Sequence, residues 1–391
     1  MDIKILFDLA ILIFAAKALG LLARRIGAPQ VVGEILAGLI VGPSVINLIQ
    51  VNDAIEVFAE IGVIMLMFAA GLGTDLKQLK SSGFKAFLVA LIGVLVPLAG
   101  GFALYGIFYG FAAPPSKEFY TALFMGTIIT ATSVSITVAA LSEMGKLSTQ
   151  VGTTIVGAAV IDDVIGIIVL TCVIGGCGGE GNVGLVLLKI VLFFLVAFVI
   201  GFVIYKAMEW LDARHPHTQR IPIYSLAFCL AMAYVAQRYF EIADITGAYC
   251  AGIALCTLKD TKYVEKRIDI SSYMLFGPIF FACIGLKTDL SGLTLSILGF
   301  SICFIITALV TKVIGCGLAA KICGYDMTDS LRIGAGMMTR GEVALIVAQK
   351  GLSAGVLDST YFPAVILLII VSSVITPVVL KLLFSKGKQA V

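Results

Sequence analysis

Charge is scarce in this chain. Of 391 residues, 13% are Asp, Glu, Lys or Arg and 60% are hydrophobic, and mean hydropathy is +1.08. No soluble globular domain needs so much apolar surface, so the chain reads as a membrane protein. The net charge of +3 is too small to suggest nucleic acid as a partner. Histidine is nearly absent: His215 and His217 sit together in a polar loop, ARHPHTQR, and read as solvated. Cysteines such as Cys172, Cys229, Cys250, Cys256, Cys283 and Cys303 lie in apolar runs without CxxC spacing, and read as small reduced hydrophobes. The lone Trp210 lies near a helix end, with no polar and aromatic cluster suited to an organic substrate. The N-terminus lacks a basic n-region and a small-residue cleavage site, so a retained first helix is expected. No cofactor is expected.

What is present is a pair of adjacent aspartates, Asp162 and Asp163, inside the apolar run GTTIVGAAVIDDVIGIIVLTCVIGG. Each carboxylate at mid-membrane costs roughly 2.5–3.5 kcal/mol on insertion scales, so a retained pair points to ion or proton handling. At about 20 apolar residues per crossing, roughly thirteen segments are expected. They begin near Ile3, Val31, Ala54, Phe84, Phe119, Thr149, Val183, Ile223, Ile245, Ile270, Leu295, Leu331 and Phe362. Basic residues concentrate after odd-numbered segments: Arg24 and Arg25; Lys77, Lys80 and Lys85; Lys146; Arg214 and Arg220; Lys259 to Arg267; and Lys386 and Lys388 in the tail. The positive-inside rule then puts the N-terminus outside and the C-terminus in the cytoplasm.

The chain repeats itself. Phe68 to Leu76 recurs as Phe281 to Leu290 with one residue inserted. Gly71 matches Gly285 at an offset of 214, and Gly33, Ala37 and Gly38 match Gly247, Ala251 and Gly252 at that same offset. The offset spans seven segments, an odd number, so the second copy is inverted, a signature of secondary transporters. Repeat one covers 1–180, a linker helix 183–211, and repeat two 221–386. Corresponding segments five and twelve carry polar clusters at their centres: Thr127, Thr130, Thr132, Ser133, Ser135 and Thr137 in one; Gly334, Gly336, Thr339, Arg340, Gly341 and Glu342 in the other. Both are expected to break there, and two crossed breaks form a charge-compensated ion site. For segment five alone, hydroxyls bonding back to their own helix remain an alternative.

On one helix Asp162 and Asp163 project about 100° apart and need different partners. Lys312, alone in SICFIITALVTKVIGCGLAA, is the natural partner for one of them; which one stays open. The other then binds the cation, with hydroxyl and carbonyl oxygens from Thr132 and Ser133 nearby. A purely structural salt bridge is the alternative. A proton and a small cation competing for one carboxylate produce exchange, and release of the lysine proton as well would make it electrogenic. Among other classes, an intramembrane aspartyl protease needs facing carboxylates from two helices, whereas these are side by side on one. A channel would use rings of carbonyls or charges around a symmetry axis. Of the remaining acids, Glu34 reads as interfacial or bonded within the scaffold, with the lining of a cytoplasmic funnel as the alternative, and Asp75 and Asp289 as helix caps. Lys259 to Arg267 reads as a solvated loop.

From GAPQVVGEILAGLIVGP through GLGTDL, TATSVSIT, GAAVIDDVIGIIVL and FFACIGLKTDL to TRGEVALIV, the chain resembles the sodium/proton antiporters of the cation:proton antiporter superfamily. It is closest to their bacterial NapA-like branch. The resemblance implies an all-α membrane fold of the NhaA type with two inverted six-helix repeats and crossed discontinuous helices. It gives Asp163 the role of ion and proton carrier, pairs Asp162 with Lys312, puts the first break at Thr132 and Ser133, and sets Glu342 and Arg340 at the opposing break. It further implies a homodimer in a prokaryotic plasma membrane. Dimer-forming scaffold helices would cover about 1–76 and 221–290, and mobile core helices about 84–176 and 293–386, moving like an elevator. The transported ions are Na⁺, with Li⁺ or K⁺ as alternatives, against H⁺. Asp at position 162, where potassium relatives often carry Gln, and a chain ending at Val391 without their nucleotide-binding domain, favour sodium.

Overall fold

The computed structural model describes residues 3–114, 116–177, 182–214, 218, 220–288 and 295–385; the side chains at 212, 213, 295, 296 and 342 are outside that description. So are His215, His217, Asp289, Lys386 and Lys388. The described chain is helical throughout: α1 Lys4–Arg25, α2 Gln30–Val41, α3 Asp53–Leu72, α4 Leu76–Tyr109, α5 Lys117–Thr130, α6 Val134–Glu143, α7 Gln150–Gly176, α8 Val183–Arg214, α9 Arg220–Phe240, α10 Asp244–Leu255, α11 Thr261–Ser271, α12 Gly277–Leu286, α13 Leu295–Ile322, α14 Met327–Gly336, α15 Glu342–Ser353 and α16 Phe362–Ser385. Among the described residues, ten helical stretches are long and apolar enough to cross a membrane, and α2 and α10 are shorter apolar helices.

Helix starts follow side-chain caps. Asn52 accepts the Ile55 N–H, Asp75 the Lys77 N–H, Ser116 the Phe119 N–H and Thr149 the Gly152 N–H. The Asp75 cap extends α4 back to Leu76, eight residues before the expected start. Lys77, Lys80 and Lys85 are therefore helical rather than loop residues. A second correction concerns 259–267. Most of this stretch is α11, which buries Thr261, Val264 and Ile268 while its charged residues face outward. A π-helical turn over Ser272–Phe276 joins it to α12, where Pro278 has no N–H to close an ordinary helical turn.

Two groups of helices pack side by side. In one, α2 lies against α1 and α12, and α3 against α10; in the other, α4 lies against α5, α7 and α13, and α13 against α14 and α16. Close approach in the first group depends on glycine. A Cβ on Gly38 would run into the Ala282 carbonyl, and one on Gly285 into the Ile35 carbonyl. A Cβ on Gly71 would meet the Tyr249 carbonyl at 2.5 Å, and one on Gly252 the Phe68 carbonyl. Glu34 is buried between α1 and α2, accepting from Gln30 Nε2 at 2.9 Å and Lys17 Nζ at 3.3 Å. It is thus bonded within its helix pair.

Candidate functional site

Two helices are interrupted where their polar clusters fall. The first stops at Thr130 and resumes at Val134; the second stops at Gly336 and resumes at Glu342. Each interruption exposes backbone groups that lipid cannot satisfy, and here each supplies the other. The Ser133 N–H donates to the Thr339 carbonyl at 2.8 Å, and Thr137 Oγ1 donates to the Gly336 carbonyl at 2.8 Å. Thr132 Oγ1 reaches the Met337 carbonyl at 3.4 Å, and the hydroxyls of Thr137 and Thr339 lie 3.0 Å apart. Thr132 and Ser133 are buried at this crossing. It is tight because position 341 is glycine: a Cβ there would fall 2.5 Å from Ser133 Oγ.

Buried cations meet the C-terminal ends of both interrupted helices. Lys312 on α13 is fully buried; its Nζ donates to Asp162 Oδ1 at 2.7 Å and to the Thr130 carbonyl, at the end of α5, at 2.9 Å. Arg340, also fully buried, directs its guanidinium to the carbonyls of Met337 and Thr339 at 3.2 Å each and of Ala308 at 3.3 Å. Helix C-termini carry partial negative charge and orphaned carbonyls, so both cations answer a need of the backbone. Glu342 is the first residue of α15, a position where the helix dipole favours a carboxylate.

Of the two aspartates, Asp162 faces Lys312, and its Oδ2 makes no further hydrogen bond among the described residues. Asp163, the next residue on α7, is 8% exposed. A cavity of about 570 Å³ approaches the crossing between α3, α10 and α12 on one side and α15 and α16 on the other. Charged residues Glu56, Glu60, Asp244 and Lys287 line it, and it reaches Gly341 in the break; neither aspartate is among its lining residues. Outside the helices, Tyr325 in the turn before α14 shares a 2.7 Å hydrogen bond with Thr154 on α7, and burial pushes its phenol pKa up.

Two residues that the sequence reading missed hold the second break. Ser372 Oγ on α16 accepts the Arg340 N–H at 3.0 Å, and Ser373 Oγ donates to the Arg340 carbonyl at 3.0 Å. Their only sequence signal is a Ser-Ser pair inside LLIIVSSVITP.

Similarity to known proteins agrees with this geometry. The sodium proton antiporter MjNhaP1 from Methanocaldococcus jannaschii has the same fold, with a TM-score of 0.72 at 16% identity over 99% of this chain and 98% of that one. The Na(+)/H(+)-K(+) antiporter GerN of Bacillus cereus is 37% identical over 100% of this chain and 99% of its own length. A Na(+)/H(+) antiporter of Enterococcus hirae is 33% identical over 95% of this chain and 96% of its own. The family model for the transmembrane sodium/hydrogen exchanger matches residues 10–386. The chain therefore belongs to the sodium/hydrogen exchanger family of membrane antiporters, and it is a transporter rather than an enzyme.

Proposed function

We propose that this protein exchanges a monovalent cation, Na⁺ or Li⁺, for protons across a prokaryotic plasma membrane, with Asp163 as the carboxylate that alternately holds cation and proton. The observation that carries this reading is the buried Asp162–Lys312 pair at 2.7 Å, with Asp163 adjacent on the same helix. Asp162 and Lys312 form the charge-compensating half of the site, and Thr132 and Ser133 line the other. Arg340 and Glu342 balance the second break. Release of the Lys312 proton when the cation draws Asp162 away would move two protons per cation and make exchange electrogenic, with each net charge worth about 2.3 kcal/mol per 100 mV. Potassium is a second reading for the cation, because the Bacillus cereus relative is a Na(+)/H(+)-K(+) antiporter.

The architecture that goes with this function has thirteen crossings in two inverted repeats, 1–180 and 221–386, flanking the linker α8. Glycine packing supports it. The repeat relation carries Gly38 to Gly252 and Gly71 to Gly285, and the contacts of Gly38 and Gly285 between α2 and α12 mirror those of Gly252 and Gly71 between α10 and α3. The N-terminus is outside and the C-terminus cytoplasmic. A homodimer of scaffold helices carries a core that moves as an elevator. The test is exchange in liposomes holding a pH-sensitive dye under an imposed proton gradient. Addition of Na⁺, Li⁺ or K⁺ should dissipate the gradient in the wild type and leave it intact in a folded Asp163→Asn variant. A gradient that no cation dissipates, with folded wild-type protein, would overturn the reading.

A further inference from the structure

A second cavity, of about 390 Å³, opens at the other end of the bundle, where the two helix groups meet. Arg24 at the end of α1 and Pro29 in the following turn form one wall; Glu143 at the end of α6 and Lys146 in the turn after it, with Lys381 and Phe384 on α16, form the other. Three cations thus face one carboxylate. Glu143, whose Oε2 accepts the Gln30 N–H, the first of α2, at 2.7 Å, offsets one of these charges and leaves two. Lys381 Nζ donates, among the described residues, to the Ala28 carbonyl alone, at 3.4 Å. Among the described residues, neither Arg24 nor Lys146 forms an ion pair. A fourth cation, Arg332, lies over the Phe384 ring at 4.6 Å, and its charge is balanced by Asp329 at 2.7 Å.

Part of this positive charge offsets the C-terminal dipoles of α1 and α6. A full excess remains, contributed from both sides of a seam, around a volume within the range of small-ligand sites. Arginine and lysine together suit phosphate oxygens, and the Pro29 and Phe384 surfaces suit an apolar stem. In the proposed orientation this end faces the cytoplasm, where anionic headgroups collect and basic pockets between membrane helices hold them.

We propose that this seam cavity binds a phosphate-bearing anion, either the headgroup of an anionic lipid or a soluble phosphate, held by Arg24 from α1 and by Lys146 and Lys381 from the opposite wall. The proposal rests on the antiporter reading for its sidedness and for its consequence. An occupant ties together the two helix groups that must move past each other during transport, and so sets how readily the protein leaves the conformation described here.

The test is thermal melting of the purified protein in micelles of a nonionic, phosphate-free detergent. Phosphatidylglycerol is added in one arm, and inorganic phosphate replaces chloride at equal ionic strength in the other. Occupancy should raise the wild-type melting temperature by at least about 3 °C. Arg24→Gln/Lys146→Gln should cut that rise at least threefold, whereas Lys77→Gln/Lys80→Gln should retain it. A rise with phosphatidylglycerol alone assigns the site to a lipid, and a rise with phosphate assigns it to a soluble anion. No rise in either arm, or an equal rise in the Arg24/Lys146 variant, overturns the proposal. If that double variant does not fold, single Lys146→Gln is judged by the same criterion. Asp163→Asn, inactive in exchange under the reading above, should keep the full rise, so failure of either idea leaves the other standing.

Discussion

Lys312 serves two groups at once, the Asp162 carboxylate at 2.7 Å and the terminal carbonyl of α5 at 2.9 Å. Removing one partner of a buried ion pair costs about 3–5 kcal/mol, because the remaining charge is left without compensation. Lys312→Gln should therefore melt well below the wild type, and Asp162→Asn/Lys312→Gln should recover most of the loss; a double variant no more stable than the single would show that charge is not the cause. If the lysine also carries a proton, exchange by Lys312→Gln in liposomes becomes insensitive to membrane potential, and unchanged voltage dependence refutes the two-proton scheme. Ser372→Ala/Ser373→Ala should destabilise by about 1–3 kcal/mol and weaken apparent cation affinity, because the buried Arg340 N–H and carbonyl lose their side-chain partners. Unaltered melting and cation dependence would remove both serines from the site. Asp162, Asp163 and Lys312 were legible in the sequence because a charge in an apolar run is costly and has few uses. Ser372 and Ser373 were not, because hydroxyls in membrane helices by default bond back to their own turn, as Ser372 also does to Ile369 at 3.0 Å.

At the scale of elements, the candidate site exists because two helices stop mid-bundle, where the Ser133 N–H and the Thr132 and Thr137 hydroxyls of one break meet carbonyls of the other. The absent side chain at Gly341 permits this approach, since a Cβ would lie 2.5 Å from Ser133 Oγ and 2.7 Å from Ser133 Cβ. Gly341→Ala should push the breaks apart and reduce exchange at least tenfold, about 1.4 kcal/mol or more in the barrier. Full activity in Gly341→Ala, measured by the same dye assay, would show that the crossing tolerates separation. The position of both breaks was readable from hydroxyl, glycine and charged residues clustered at mid-run. The start of α4 was not. Lysines argue for a loop only if a helix ends at the membrane surface, whereas α4, with 34 residues, is roughly 50 Å long and extends beyond a 30 Å hydrocarbon layer. The start of α11 was hidden for a related reason: its buried stripe is only Thr261, Val264 and Ile268, too sparse among charges to register as a membrane segment.

At the scale of the molecule, the glycine contacts make the proposed internal symmetry testable. Gly71 and Gly285 would occupy matched places in the two proposed repeats, and each lies against another helix's backbone. Overpacking such a contact costs about 1–3 kcal/mol or more when backbone must move. Gly71→Val and Gly285→Val should therefore lower the melting temperature by similar amounts, while Gly299→Val, where no atom lies within 4 Å of a Cβ, should change it little. Strongly unequal losses at the matched pair would argue against equivalent helices. The long α8, only 11% buried over its most apolar window, presents most of its surface outward.

Local chemistry alone determined that this chain is membrane-embedded and helical, where its helices break, and which charged residues are candidates for its site, because hydrocarbon penalises each unpaired charge or backbone group wherever it falls in the fold. Only the tertiary structure decided that Asp162 rather than Asp163 meets Lys312, that Lys312 and Arg340 close the ends of the interrupted helices, and that α16 supplies serines to the second break. Those outcomes depend on which faces of α7, α13 and α16 turn toward the crossing. On helices apolar nearly all round, with buried and lipid-facing sides chemically alike, periodicity carries almost no record of that rotation.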